Sequence, residues 1–185
     1  MLTLAPHRNQ HLFSDHYLNV LLPAHPDWPE VIAEARPVLH DLQQLLAARI
    51  PSGNKAQTEY DWIKPVLHRL GHTFEVQPSL ETPDGTKRPD YVFYRDQARL
   101  IANKGRRLNE SILLSRAMAI GAARAWNHPL DIPLRQAGNN AWMHQNPSYR
   151  IALYMQHSGL EWGILTNGRL WRLYHKETAL ELDRF

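Results

Sequence analysis

Pro89-Asp90-Tyr91-Val92-Phe93-Tyr94 is the stretch on which the reading of this chain turns. Aromatic and β-branched residues in succession favour a strand, and the Pro-Asp pair in front of them puts a carboxylate at its start. Upstream, Thr73-Phe74-Glu75-Val76-Gln77 alternates and stops at Pro78, the mark of another strand. A loop containing Pro83-Asp84-Gly85 lies between them, so the two strands are expected to pair antiparallel with Asp90 at the start of the second. Downstream, a basic irregular stretch runs to about Leu108. Then Ala117-Met118-Ala119-Ile120-Gly121-Ala122-Ala123, followed by Arg124-Ala125-Trp126, offers a third strand, although its alanines leave a helix open.

Helical spacing surrounds these strands. To about Ile50, Val31, Ala35, Val38, Leu39, Leu42, Leu45 and Leu46 recur at a period that predicts a helix burying one face, with prolines 23, 26 and 29 separating it from a shorter one. After the Pro51-Ser52-Gly53-Asn54 break, Trp62, Ile63, Val66, Leu67 and Leu70 form the apolar stripe of a second helix ended by Gly71. Glu59 precedes Trp62 by three residues and Ile63 by four, so its carboxylate projects from the core side, either as a cap near the helix start or as a functional group. Residues 131–146 are rich in Gln, Asn and Pro and read as a long loop, the kind that often carries function. Pro147 opens a helix with Ile151, Tyr154 and Met155 on one face. The Asn167-Gly168 pair between Trp162-Gly163-Ile164-Leu165-Thr166 and Leu170-Trp171-Arg172-Leu173-Tyr174 is a hairpin signal. The order gives an α/β class: a central mixed sheet flanked by helices, with a helical extension over 1–50 and a core over 51–185. The alternating Leu180-Glu181-Leu182 pattern without a terminator is expected of a fragment of a longer protein.

Composition narrows the function classes. The 185 residues carry no cysteine, which excludes disulfides and thiolate zinc sites and suits a reducing, cytoplasmic setting. No basic segment followed by an apolar run opens the chain, and nowhere do about 18 apolar residues stand together, so neither export nor membrane insertion is expected. The chain holds 21 Lys and Arg against 18 Asp and Glu, a net charge of +3. The basic residues gather in Lys87-Arg88, Lys104-Gly105-Arg106-Arg107 and residues 169–172, as phosphate contacts or as solvated faces. His68 and His72, four apart, lack an acidic or thiol third ligand for a zinc site.

An inward Glu on a helix, a strand, a turn, a strand beginning Pro-Asp, and a third strand leading to Trp resembles the PD-(D/E)xK nuclease core. More narrowly, residues 9–18 (NQHLFSDHYL), Thr58-Glu59, Pro65-Val66-Leu67, Leu70-Gly71, Gln77-Pro78, Pro89-Asp90-Tyr91, Ala125-Trp126 through Leu130-Asp131 and Gly163-Ile164-Leu165-Thr166-Asn167-Gly168 are similar to the N-terminal domain of single-chain restriction-modification enzymes, and loosely to type I restriction subunits. That resemblance implies a restriction-endonuclease-like core acting on DNA with Mg²⁺, joined in a longer parent to methyltransferase and target-recognition domains and serving phage defence. It assigns Asp90 as the central metal ligand and Glu59 as an auxiliary one. In such sites carboxylates hold Mg²⁺ beside the scissile phosphate and a lysine stabilises developing charge.

Three positions depart from that pattern where chemistry depends on them. The paired Glu and Lys of the third strand fall on Ala122 and Arg124. Alanine offers no oxygen to a metal, and arginine stays protonated and can grip a phosphate without replacing lysine beside the ion. On the helix that follows, the glutamine implied by the resemblance, four residues before Tyr154, is Arg150. Arg124, Arg150 and Tyr154, with Lys87 and Arg88, are thus the expected nucleic-acid contacts. The expectation is a degenerate nuclease domain with little or no cleavage, or a non-enzymatic module using the same fold to bind DNA or dock a protein. Pro-Asp pairs also begin strands simply because the carboxylate satisfies backbone N–H groups.

Overall fold

The structure, a computed structural model, describes residues 9–48, 53–109, 117–131 and 146–179. The long loop carrying Gln136 to Asn140 and the Leu180-Glu181-Leu182 pattern lie outside these residues. Seven strands occur among those described: β1 (Thr73–Val76), β2 (Leu80–Thr82), β3 (Gly85–Lys87), β4 (Tyr91–Tyr94), β5 (Ala117–Ala123), β6 (Trp162–Thr166) and β7 (Trp171–His175). Five form one mixed sheet in the order β1-β4-β5-β6-β7, and β2 and β3 make a separate ribbon. β1, β4 and β5 are antiparallel neighbours, β6 lies parallel to β5, and β7 returns antiparallel to β6. A parallel neighbour requires a crossover, and the helix Pro147–Ser158 occurs within it.

The expected pairing of the first two strands is present, with Thr73 opposite Tyr94 and Val76 opposite Tyr91, but what reads as a loop between them holds the β2–β3 ribbon. The Ala-rich segment is a strand despite alanine's helix propensity. Centred between β4 and β6, it is covered on both faces: Ile120 and Ala122 join the cluster on one side, Ala119 and Ala123 that on the other. Burial decides against propensity here.

Helices are α1 (Trp28–Ala48), α2 (Lys55–Thr58), α3 (Lys64–Arg69), α4 (Gln97–Asn103) and α5 (Pro147–Ser158) among the described residues. α2 and α3 are one continuous helix joined by a π-helical turn, Glu59–Ile63. It starts at Asn54, whose side chain accepts the Gln57 N–H, so Glu59 is not the cap. It stops in a left-handed glycine turn: the His72 N–H reaches the Leu67 carbonyl and the Gly71 N–H that of His68, both at 3.0 Å, with Gly71 at φ 76°. Trp62, Ile63, Val66 and Leu67 are buried against Tyr91, Phe93, Ala119 and Ala123, whereas Leu70 at the end of the stripe is exposed. The basic stretch expected to be irregular contains α4, started by Asp96, whose carboxylate accepts the Arg99 N–H at 2.8 Å.

On the opposite face α5 buries Ile151, Ala152, Tyr154 and Met155. A Cβ added at Gly163 would stand 2.2 Å from the Met155 sulfur, so any larger residue there would have to displace the Met155 side chain packed between α5 and β6. The β6–β7 hairpin forms as expected, but its loop is four residues long, 167–170, because Thr166 pairs with Trp171. The Asn167 carboxamide oxygen accepts the N–H groups of Arg169 and Leu170 at 3.0 and 2.8 Å and holds the wider turn. The expectation that α1 buries a whole face is corrected. None of its residues is buried; Leu42, Leu45 and Leu46 pack on the core, while Val31 and Leu39 remain exposed. Periodicity specifies an apolar face, not whether anything covers it. No helix among the described residues is long and apolar enough to cross a membrane.

Candidate functional site

Asp90 directly precedes β4, between the chain that ends β1 and the neighbouring β5. Its backbone is locked first: its N–H donates to the Gly121 carbonyl and its own carbonyl accepts from Gln77, each at 3.0 Å. The register that sets Tyr91 opposite Gly121, carried one residue on, puts Asp90 beside Ala122. The carboxylate is 10% exposed, and its Oδ2 accepts the Ala123 N–H at 2.7 Å. Oδ1 is held by the ammonium of Lys55 in a close ion pair. The plain strand-start role of a Pro-Asp pair is therefore present, together with a charged partner.

Glu59 reaches the same place from the π-helical turn. Its side chain is 12% exposed, Oε2 accepts the Tyr91 hydroxyl at 2.9 Å, and Oε1 lies 3.6 Å from the Lys55 nitrogen. Lys55 and Glu59 are four apart, so both emerge from one helical face. Burial, then the adjacent Glu59 and Asp90 charges, push the Tyr91 phenol far above its usual range and keep it a proton donor. Thr58, fully buried, accepts the Trp126 N–H at 3.2 Å and ties the chain beyond β5 to this helix.

Arg124, Arg150 and Tyr154 gather on the α5 side. The Arg124 N–H donates to the Thr166 carbonyl at 2.8 Å and its guanidinium to the Ala123 carbonyl at 2.9 Å. Burial and the neighbouring Arg150 charge pull the Arg124 pKa down, against Asp90 and Tyr154, which favour its charged form. Tyr154 is raised by burial and by Asp90, with Arg150 and Arg124 opposing. Ala122, 1% exposed, packs in the cluster of Val92, Ile120, Ile151 and Leu165.

The structure thus brings Glu59, Asp90, Ala122, Arg124, Arg150 and Tyr154 into one neighbourhood. Lys87 stands on the ribbon instead, donating to the Asp84 carbonyl at 3.0 Å, with exposed Arg88 after it. His68 and His72 pack on the rings of Phe74 and Phe93. Sequence reading overlooks Lys55. Its signal is the four-residue spacing to Glu59 one position after the Asn54 cap, but nothing local announces that Asp90, 35 residues away, completes the triad.

The donor set does not fit a magnesium ion. Mg²⁺ asks for near-octahedral oxygen ligation that includes one or two carboxylates. Here Asp90 gives one oxygen to an N–H and the other to an ammonium, Glu59 gives one to a phenol, and Ala122 has none. No group of three or more His, Asp or Glu suited to a metal occurs among the described residues. What the arrangement offers is positive charge: Lys55, Arg124 and Arg150 against Asp90 and Glu59. Comparison with family models, with curated proteins and with solved structures gives no match.

Proposed function

We propose that this chain is a DNA-binding domain with a restriction-endonuclease-like core, from a restriction-modification or phage-defence protein, whose reaction centre has become an anion-binding cleft with little or no cleavage. The observation that carries this reading is the state of Asp90: Lys55 and the Ala123 N–H each hold one of its carboxylate oxygens, with buried Ala122 beside it and Arg124, itself next to Arg150, near it. Support for the core comes from the order of elements: the helix bearing Glu59, the antiparallel β1, β4 and β5, then α5 and a parallel β6. Two neighbouring arginines beside carboxylates already paired with Lys55 suit a phosphodiester oxygen, which guanidinium groups bind through charge-assisted hydrogen bonds. Lys87 and Arg88, on and beside the ribbon, are the further phosphate contacts of this reading. Methyltransferase and target-recognition domains in a longer parent would supply sequence specificity.

The test is duplex DNA binding by fluorescence anisotropy over a salt series. Each phosphate contact contributes about 0.9 to the slope of log affinity against log salt, so the Arg124→Ala, Arg150→Ala double variant should lower that slope by about 1–2. Plasmid incubated with Mg²⁺ should stay intact. Robust cleavage that disappears in Asp90→Ala would refute the loss of activity. A second reading, docking of a protein partner, is favoured by the exposed Val20, Leu21, Val31 and Leu39 of the N-terminal extension. A lack of DNA retention at low salt would make it the better account.

A further inference from the structure

We infer that Lys55 is a tethered cation standing where a divalent metal ion would lie, and that it closes the Asp90 and Glu59 carboxylates to such ions. Two carboxylates, 10% and 12% exposed, converge on one ammonium. Nearly buried carboxylates that approach each other need a positive charge between them, and a mobile ion or a side chain can supply it. The chain supplies it covalently. Lys55 is placed by the first turn of α2, directly after the Asn54 cap, so its stem leaves a fixed helix end rather than a loop.

A metal ion could ligate Asp90 Oδ1 only after expelling this ammonium, which would remain within a side-chain length as a repelling charge. Two features oppose a metal ion: the missing side-chain oxygen at Ala122, which lowers affinity, and the occupied oxygen at Asp90, which blocks entry. Restoring a carboxylate at position 122 addresses only the first. Removing the charge at position 55 frees an oxygen on Asp90 and another on Glu59, while the Ala123 and Tyr91 donors still orient both carboxylates. Two oriented carboxylates with water completing the shell are enough to hold a hydrated divalent ion.

The experiment titrates Mn²⁺ alone into wild type, Lys55→Met, Lys55→Arg and Lys55→Met combined with Asp90→Asn, reading free Mn²⁺ by electron paramagnetic resonance and the thermal midpoint with and without the ion. Lys55→Met should bind at least about ten-fold more tightly than wild type, and Mn²⁺ should raise its midpoint. Lys55→Arg should behave as wild type, and the added Asp90→Asn should abolish the gain. If Lys55→Met does not fold, as judged by circular dichroism, Lys55→Gln keeps a donor toward Asp90 without charge and serves in its place. Equal Mn²⁺ affinity with and without the Lys55 charge overturns the inference, as does a gain that survives Asp90→Asn. DNA retention by wild type in chelator reports separately on the anion cleft, so either idea can fail alone.

Discussion

Replacing Asp90 by Asn and by Ala separates a carboxylate held by its neighbours from one held in readiness for a metal. In Asp90→Ala the buried Ala123 N–H loses its acceptor, which costs about 1–3 kcal/mol. Lys55, 39% exposed, can turn to water and keeps Glu59 nearby, so its loss adds at most about 1 kcal/mol. The total is about 1–4 kcal/mol. Asp90→Asn keeps an oxygen for the Ala123 N–H but gives up the charge facing Lys55. A charge-assisted bond becomes a neutral one of about half its strength, and the expected loss is about 0.5–1.5 kcal/mol. A metal-poised pair gives the opposite sign for Asn, because neutralising one of two repelling carboxylates relieves their repulsion. Urea denaturation followed by tryptophan fluorescence at neutral pH measures both variants. The expected order of stability is wild type, then Asn, then Ala; an Asn variant at or above wild-type stability refutes the assignment of Lys55 as the partner.

Two further outcomes test contacts that hold the fold together around the sheet. Gly168 accepts the Trp62 indole N–H at 2.7 Å through its carbonyl, and a Cβ there would meet Trp62 Cδ1 at 2.8 Å and Trp126 Cε3 at 3.1 Å, at φ +83°. Gly168→Ala should cost about 2–5 kcal/mol in chemical denaturation, from the left-handed backbone and the crowding together; a loss under about 1 kcal/mol contradicts this contact. Arg172 grips Asp131 through two hydrogen bonds at 2.6 and 2.5 Å, and these bonds hold the Asp131 carboxyl below the usual range. A depressed folded-state pKa means that this stabilisation is complete above the unfolded value of about 3.9 and is lost as pH falls through the folded one. The stability gap between wild type and Asp131→Asn should therefore shrink as pH drops from about 5 toward 2.5, and a constant gap would show that the ion pair contributes nothing.

Much of the fold is legible locally. The strands at Thr73, Tyr91 and Trp162, the stripe of Trp62, Ile63, Val66 and Leu67, and the Pro147 helix each declare themselves through a period or a terminator within about ten residues. The ribbon at Leu80 and Gly85 and the helix at Gln97 escape because three-residue strands and a seven-residue helix are too short to establish a period. Met118 to Ala123 is ambiguous because alanine suits a helix as well as a doubly covered strand. For the site, Glu59 stands out by its place on the helix face, while Asp90, Arg124, Arg150 and Tyr154 are selected through the resemblance, and these residues lie in one neighbourhood. Lys55 cannot be selected so easily: its importance rests on a partner far away in sequence.

By itself, then, the sequence determined most of the longer elements, where the anionic and cationic side chains stand on them, and that Ala122 brings no side-chain oxygen to the centre. Tertiary structure decided which charge meets which. Only when the helix carrying Lys55 and Glu59 packs on β4 and β5 does one ammonium come to face Asp90 from 35 positions away, while Arg124 and Arg150 approach from the α5 side. Residue chemistry is local, but an ion pair depends on distance and burial, and those exist only once both faces of the sheet are covered.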